Sequence, residues 1–293
     1  MRVFVTGATG YIGSAIVEDL LAVGHQVVGL ARSDASAKLL ESLGVDVLRG
    51  SLDDLDSLKH GAENSDGVIH CAFVHDFTDY AGSVKKDQLA IQTLGAALEG
   101  TNRPLIISSG ILGVSINRLA TEQDQANRET CPRGVAEEIT VSFSSKGVRS
   151  SVIRLPPSVH GKGDRGFISI IIGIARKKGV SVYIGDGLNR WTSVNRLDVA
   201  QLYRLALEKG AAGARYHGVA DEGIPFREIA EVIGKHLNVP VVSKPIVEAM
   251  EHFGFLGHFA QFDAPASSKH TQQEFGWQPI QNSLLADMEE NYF

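Results

Sequence analysis

Two hydrophobic periods alternate along the first half of the chain. Residues 2–5 (RVFV) form a short β-prone run that ends at Gly7, and an apolar period of 3.6 residues follows over 12–22. Gly24 closes that helix, and residues 25–31 (HQVVGLA) return to a strand pattern. The spacing predicts further helices over 35–42, 55–59 and 80–98, and strands over 45–49, 67–71 and 104–108. After an irregular stretch, a helix starts near Pro132 and stops at Lys146-Gly147, with proline at its first position and glycine past its end. A strand over 151–155 completes the series. Strands alternating with amphipathic helices predict βαβ units, and hence an α/β, doubly wound parallel sheet of the Rossmann type over residues 1–155. Ligands of such sheets sit at the carboxyl ends of the strands, where the strand order reverses.

From Pro156 the pattern loosens, punctuated by Gly161, Gly163, Gly166, Gly179, Gly185 and Gly187. A helix over 198–209, a strand over 215–219 and a helix over 226–237 remain, followed by a segment rich in Phe, Gly and His at 252–262. Residues 156–293 are expected to form a smaller, irregular substrate lobe, with some segments returning to the Rossmann sheet. The aromatic segment is either the core of that lobe or the lining of an apolar pocket.

Composition narrows the classes. At 293 residues and 43% hydrophobic, the chain can bury a sizeable core without staples. Its 28 basic and 34 acidic residues give a net charge of −6, which argues against a nucleic-acid partner. Cys71 and Cys131 alone make neither a disulfide framework nor a metal-ligand spacing, so a cytoplasmic protein without a metal is expected. The longest apolar run, 167–175, is too short to cross a bilayer, and the opening RVFVTG leaves no room for a signal peptide. No membrane partner is expected.

The candidate chemistry begins at the first strand–helix junction, Thr6-Gly7-Ala8-Thr9-Gly10-Tyr11-Ile12-Gly13. Gly7 permits a sharp turn, Gly10 a close approach of backbone to a diphosphate, and Gly13 tight packing of helix on sheet. The unpaired N–H groups and the dipole at the helix start then favour phosphate. These residues predict a dinucleotide site. An NAD site places a carboxylate at the end of the second strand. Here that slot holds Ala31, then Arg32 and Ser33, whose guanidinium and hydroxyl suit a 2′-phosphate, while Asp34 reads as the cap of the next helix. NADP(H) is therefore expected in preference to NAD(H).

The G-x-x-G-x-x-G spacing after Thr6, with the later motifs, resembles the extended branch of the short-chain dehydrogenase/reductase superfamily. That branch includes NAD-dependent epimerases and dehydratases and 3β-hydroxysteroid-dehydrogenase-like proteins. Ile69-His70-Cys71-Ala72 is similar to its V-I-H-x-A segment, and Ser108-Ser109-Gly110 to the serine-bearing end of its fifth strand. Arg154 to Asp164 resembles R-x-P-x-x-V-Y-G-P-G-D, residues 194–200 resemble V-x-x-x-D-V-A, and Phe275-Gly276-Trp277-Gln278-Pro279 resembles L-G-W-x-P. The resemblance implies that Cys71, Ala72 and Phe73 lie beneath the cofactor, that Pro156, Ser158 and Val159 border it, and that Ser51 and Leu52 meet the adenine where relatives carry Asp-Leu. It also implies a homodimer built on the 80–98 and 132–146 helices.

One part of the family pattern is missing. No tyrosine of this chain has lysine four residues on, so the usual Tyr-x-x-x-Lys is absent. Alignment on Glu137 puts Glu129 near the tyrosine slot and Arg133 near the lysine slot. Arg133 is either a ribose-binding cation or an exposed helix residue. Ser108 and Ser109 supply either a substrate-polarising hydroxyl or ordinary strand-end hydrogen bonds. His70, His75 and His160 are the candidate substitute acids, with Asp76, Lys162 and Asp164 as loop charges beside them. Three functions follow: an NADP(H)-dependent oxidoreductase acting on a small carbonyl or hydroxyl compound, a non-catalytic NADP(H) sensor, or a nucleotide-sugar epimerase or dehydratase, which the missing tyrosine disfavours most.

Overall fold

The computed structural model describes residues 1–76, 78–115, 118–126, 131 and 133–293. Glu129, expected at the tyrosine slot, and Pro132, expected at a helix start, lie outside the described residues. The first half alternates as β1 (Arg2–Thr6), α1 (Tyr11–Ala22), β2 (Gln26–Ala31), α2 (Asp34–Ser42), β3 (Asp46–Arg49) and α3 (Leu55–Glu63). It continues through β4 (Gly67–His70), α4 (Tyr80–Ala97), β5 (Pro104–Gly110), α5 (Gly134–Ser142) and β6 (Arg149–Leu155). A 3₁₀ turn, Phe143–Lys146, extends α5, and Gly147 ends it in the left-handed conformation at φ 73°.

The second half holds β7 (Ser158–His160), α6 (Phe167–Lys178), β8 (Ser181–Ile184), β9 (Arg190–Asn195), α7 (Arg196–Lys209) and β10 (Ala214–His217). Then follow β11 (Asp221–Pro225), α8 (Phe226–Leu237), β12 (Val241–Lys244), α9 (Ile246–Phe253), α10 (Gly257–Ala260), α11 (Lys269–Phe275) and α12 (Leu284–Asn291).

Seven strands form one parallel sheet in the order β10-β6-β5-β4-β1-β2-β3. The order reverses between β1 and β4, so the glycine loop after β1 opens at the switch point, as doubly wound sheets require. Both faces are covered. Alternation along β1 sends Val3 and Val5 into a core with α1, α7 and Trp277, and Phe4 into the opposite core with Leu58, Ile91 and Leu94. The edge strand β10 and the sheet-packed helix α7 come from the second half of the chain, so the two halves interlock. The remaining strands make a three-stranded sheet, β11-β9-β7, and a two-stranded one, β12-β8. Around them lies a separate core of Ile168, Trp191, Phe226, Ile229 and Phe253.

Two motifs noted in the sequence are structural. The Trp277 indole N–H donates to the Asp198 carbonyl over 3.0 Å, and the Asp198 carboxylate accepts from the N–H groups of Ile280 and Gln281. They tie the C-terminal segment to α7.

Candidate active site

Gly7 adopts φ +71°, and a Cβ there would lie 2.8 Å from the Ala72 nitrogen, so the loop rests directly on the chain leaving β4. The Gly10 N–H donates to the Gly7 carbonyl over 2.8 Å. Gly10 is also the N-cap of α1, and it has no side chain to satisfy the first helical N–H groups. Gly13 packs so closely that a Cβ would sit 2.0 Å from the Gly7 oxygen. Bare amides at the positive end of a twelve-residue helix, beside a backbone with no Cβ at Gly10, fit a diphosphate.

The loop opens into a cleft of about 1380 Å³, which Gly7, Thr9, Gly10, Tyr11, Ile12 and Gly13 all line. At one end stand Arg32, Ser36, Ser51 and Leu52. Arg32 is exposed and makes no hydrogen bond or ion pair with another described residue, whereas Asp34 is turned away onto Arg49. No carboxylate therefore fills the slot at the end of β2. Ser33 departs from expectation: its hydroxyl accepts from the Ser36 N–H and caps α2, so it does not line the cleft. The cap is Ser33 rather than Asp34, because Asp34 is already in the first helical turn. The hydroxyl that does reach the cleft is on Ser36.

Cys71, Ala72 and Phe73 floor the middle, with Ser109, Arg133, Pro156 and Val159 around them. Arg133 is fixed from behind. Its Nη2 donates to the Ser108 carbonyl over 2.6 Å and to Asp87 over 3.2 Å, and the guanidinium lies 4.5 Å above the Phe73 ring. Burial pushes the Asp87 carboxyl up. The Arg133 charge and the hydrogen bonds from His70 and Arg133 outweigh it and hold the group below the usual carboxylate range.

His70 belongs to this support and not to the cleft. It is 1% exposed, with Nδ1 2.7 Å from the Thr6 hydroxyl and Nε2 3.2 Å from Asp87. The ionised Asp87 carboxylate can only accept, so His70 Nε2–H donates to it, and Nδ1 of the neutral ring then accepts from the Thr6 hydroxyl, whose oxygen also accepts from the Ala72 N–H. His160 is likewise enclosed, its Nδ1 2.8 Å from Asp287. Neither imidazole reaches the cavity to act as an acid. Ser108 is behind the wall too, with its hydroxyl 2.6 Å from the Tyr203 hydroxyl, and Ser158 is buried in β7. Ser109 does line the cleft, but its hydroxyl proton is committed to Glu137 over 2.6 Å. Glu137 in turn is gripped by Arg154 at 2.7 Å, both fully buried. A hydroxyl so engaged does not donate to a substrate oxygen.

What the cavity does present is His75, Tyr80, Asp164 and a group of aromatic side chains. Burial and the Arg133 charge hold the His75 imidazole below its ordinary value, so it is neutral at pH 7. Burial raises the Tyr80 phenol while Arg133 opposes the rise. Burial also raises Asp164, which accepts from the Tyr292 hydroxyl over 2.7 Å. The Cys71 thiol is pushed up to about 12 by burial, so it is not a nucleophile. Phe167, Phe255, Phe259 and Phe262 build the far wall, while Phe253 of the same segment is core. Among the described residues no cluster of three or more His, Cys, Asp or Glu could hold a metal, and no helix is long and apolar enough to cross a membrane.

Sequence reasoning missed Tyr80 and Ser36. Tyr80 has a legible signal, because it opens the helix after β4 and therefore stands at the carboxyl edge of the sheet, on the ligand side.

A profile of the NAD dependent epimerase/dehydratase family matches residues 3–219. The chain is 50% identical over 289 residues to an uncharacterized protein of Schizosaccharomyces pombe, covering 98% of each. It is 48% identical over 295 residues to an uncharacterized protein of Saccharomyces cerevisiae, covering 100% of this chain and 99% of that one. A sterol-4-alpha-carboxylate 3-dehydrogenase (decarboxylating) of Dictyostelium discoideum is 27% identical over 245 residues, 78% of this chain and 74% of the relative. Among solved structures, DesIV of Streptomyces venezuelae, a dTDP-glucose 4,6-dehydratase with NAD and TYD bound, superposes with a TM-score of 0.78 at 19% identity. That likeness covers 100% of this chain and 96% of the other and shows the shared fold.

Proposed function

The chain belongs to the NAD dependent epimerase/dehydratase family, and on that premise we propose that it is an NADP(H)-dependent oxidoreductase acting on a small carbonyl or hydroxyl compound with an apolar body. The observation that carries the reading is one continuous cleft. It joins the bare start of α1 and the exposed Arg32 at one end to the wall of Phe167, Phe255, Phe259 and Phe262 at the other.

In this reading the N–H groups at Tyr11 and Ile12 hold the diphosphate and Arg32 holds the 2′-phosphate. Ser51 and Leu52 meet the adenine, and Arg133 holds the hydroxyls of the second ribose. When bound, the nicotinamide supplies or accepts a hydride. The aromatic wall excludes water and favours a lipophilic aldehyde or ketone over a sugar nucleotide, consistent with a sterol dehydrogenase among the relatives. The free thiols of Cys71 and Cys131 suit a cytoplasmic location, and α4 and α5, packed together on one face, offer the surface for a homodimer. A second reading, a non-catalytic NADP(H) sensor, rests on the absent Tyr-x-x-x-Lys and on the committed Ser109 proton.

The test is direct. Nucleotide fluorescence is followed as NADPH or NADH is titrated, and a panel of apolar aldehydes and ketones is then added. Tighter binding of NADPH with turnover of the bulkier apolar carbonyls is expected. Tight NADPH binding without turnover across the panel replaces the enzyme by the sensor, and selective NADH binding refutes the role of Arg32.

A further inference from the structure

Resting on the oxidoreductase reading, we propose that the Tyr80 hydroxyl exchanges the proton with the substrate oxygen. The Arg133 guanidinium, anchored by Asp87, is the fixed cation that stabilises its phenolate. The phenol and cation that the family carries on one helix thus come here from two walls of the cleft, α4 and α5.

Tyr80 and Arg133 line the same cavity, and each packs against the Phe73 ring. Arg133 lies 4.5 Å above Phe73, and the Tyr80 ring is centred 6.0 Å from it at 60°. The titratable groups whose charges bear on the phenol are Arg133, Cys131 and Asp87; the first two stand at the start of α5, and Asp87, on α4, holds Arg133. Asp79 caps α4 and fixes the turn from which Tyr80 projects.

The sign of the local charge selects the donor. Arg133 does not release a proton at accessible pH, so it serves only as a cation. A permanent cation opposes an acid that must be positive before it donates, which disfavours His75. It favours an acid that becomes negative afterwards, which describes Tyr80. Ser109 gives its proton to Glu137, and His70 and His160 are buried outside the cleft lining. In reduction, the carbonyl carbon receives the hydride of NADPH while the carbonyl oxygen takes the Tyr80 Oη proton. The product is an alcohol, and the phenolate, stabilised by the Arg133 charge, regains a proton from water. Oxidation runs the same transfers backwards.

Two measurements test this on the full chain. With 3-fluorotyrosine at position 80, the ¹⁹F resonance of the nucleotide-free protein titrates. Its midpoint is expected to rise by about one pH unit or more in Arg133→Leu and in Arg133→Gln. An unmoved midpoint in a folded variant overturns the pairing. With NADPH and a carbonyl that the wild-type chain reduces, Tyr80→Phe should lose about 100-fold or more in kcat with unchanged NADPH affinity, while His75→Asn retains turnover. Turnover retained in Tyr80→Phe overturns the donor role alone. A wild-type chain that reduces nothing overturns the oxidoreductase reading and the donor role with it, whatever the ¹⁹F titration shows of the pairing.

Discussion

Gly10 and Gly13 stand three residues apart in the same loop, and alanine should harm them in opposite ways. At Gly13 the added Cβ would lie 2.0 Å from the Gly7 oxygen and 2.8 Å from its carbonyl carbon. To reach ordinary contact at 3.4 Å, helix and loop must part by about 1.4 Å, and both are backbone. Such overpacking costs about 1–3 kcal/mol, and in a chain of this size each kcal/mol lowers Tm by about 2–4 °C.

At Gly10, among the described residues beyond its two chain neighbours, the new Cβ meets only the Gly7 oxygen within 4 Å, at 3.1 Å, and the backbone at φ −75°, ψ 169° suits any residue. The weaker N-cap and the stiffer unfolded chain nearly offset, leaving stability within about 1 kcal/mol of wild type. The methyl group, however, occupies the space over which the diphosphate would lie. NADPH affinity should fall at least tenfold, or about 1.4 kcal/mol. Thermal unfolding by circular dichroism and NADPH fluorescence titration separate the two effects. A Gly10→Ala variant that binds NADPH like wild type refutes the placement of the cofactor over this loop.

Three other outcomes are expected. Arg32→Ala should weaken NADPH by about tenfold or more and leave NADH nearly unchanged in the same titration, since only the 2′-phosphate loses a partner. Glu137→Gln leaves the buried Arg154 without its counter-ion, so urea unfolding should show a loss of about 3–5 kcal/mol. His217 donates from Nδ1 to the Ser267 carbonyl and accepts at Nε2 from Arg154, and burial followed by the Arg154 charge lowers it to about 4. The unfolded chain therefore binds the extra proton first. Stability from this group is complete above pH 6.5 and is lost as pH falls towards 4, so Tm measured between pH 8 and 4 should drop most steeply in that window.

The Rossmann half was legible because buried parallel strands and covering helices leave unmistakable periods, and because the Gly7–Gly13 loop sits where strand meets helix. Limits of elements blurred where packing overrode a local signal. Helix α3 runs through Gly61 to Glu63 because that glycine lies under the Phe4 ring, whereas glycine in sequence reads as a stop. The glycine loop, Arg32, Ser51 and Leu52 line the cleft where the motifs place them, whereas Ser33 and Ser158 do not. The chemical end did not follow the motifs, for a physical reason: sequence order tells which residues follow a strand, but not which of them turn outward. His70 at the end of β4 and Ser108 near the end of β5 face inward, to Asp87 and Tyr203, and Ser109 faces the cleft with its proton already given to Glu137. Tyr80 carries no Tyr-x-x-x-Lys signal, because Arg133, which shares the Phe73 ring with it, stands at the start of α5 rather than four residues on.

That the bare start of α1 grips a dinucleotide is tested most directly by a crystal structure with NADP⁺ bound. The diphosphate should lie against the N–H groups at Tyr11 and Ile12, with the 2′-phosphate beside the Arg32 guanidinium. Density for the dinucleotide elsewhere, or none at saturating concentration, would contradict the claim.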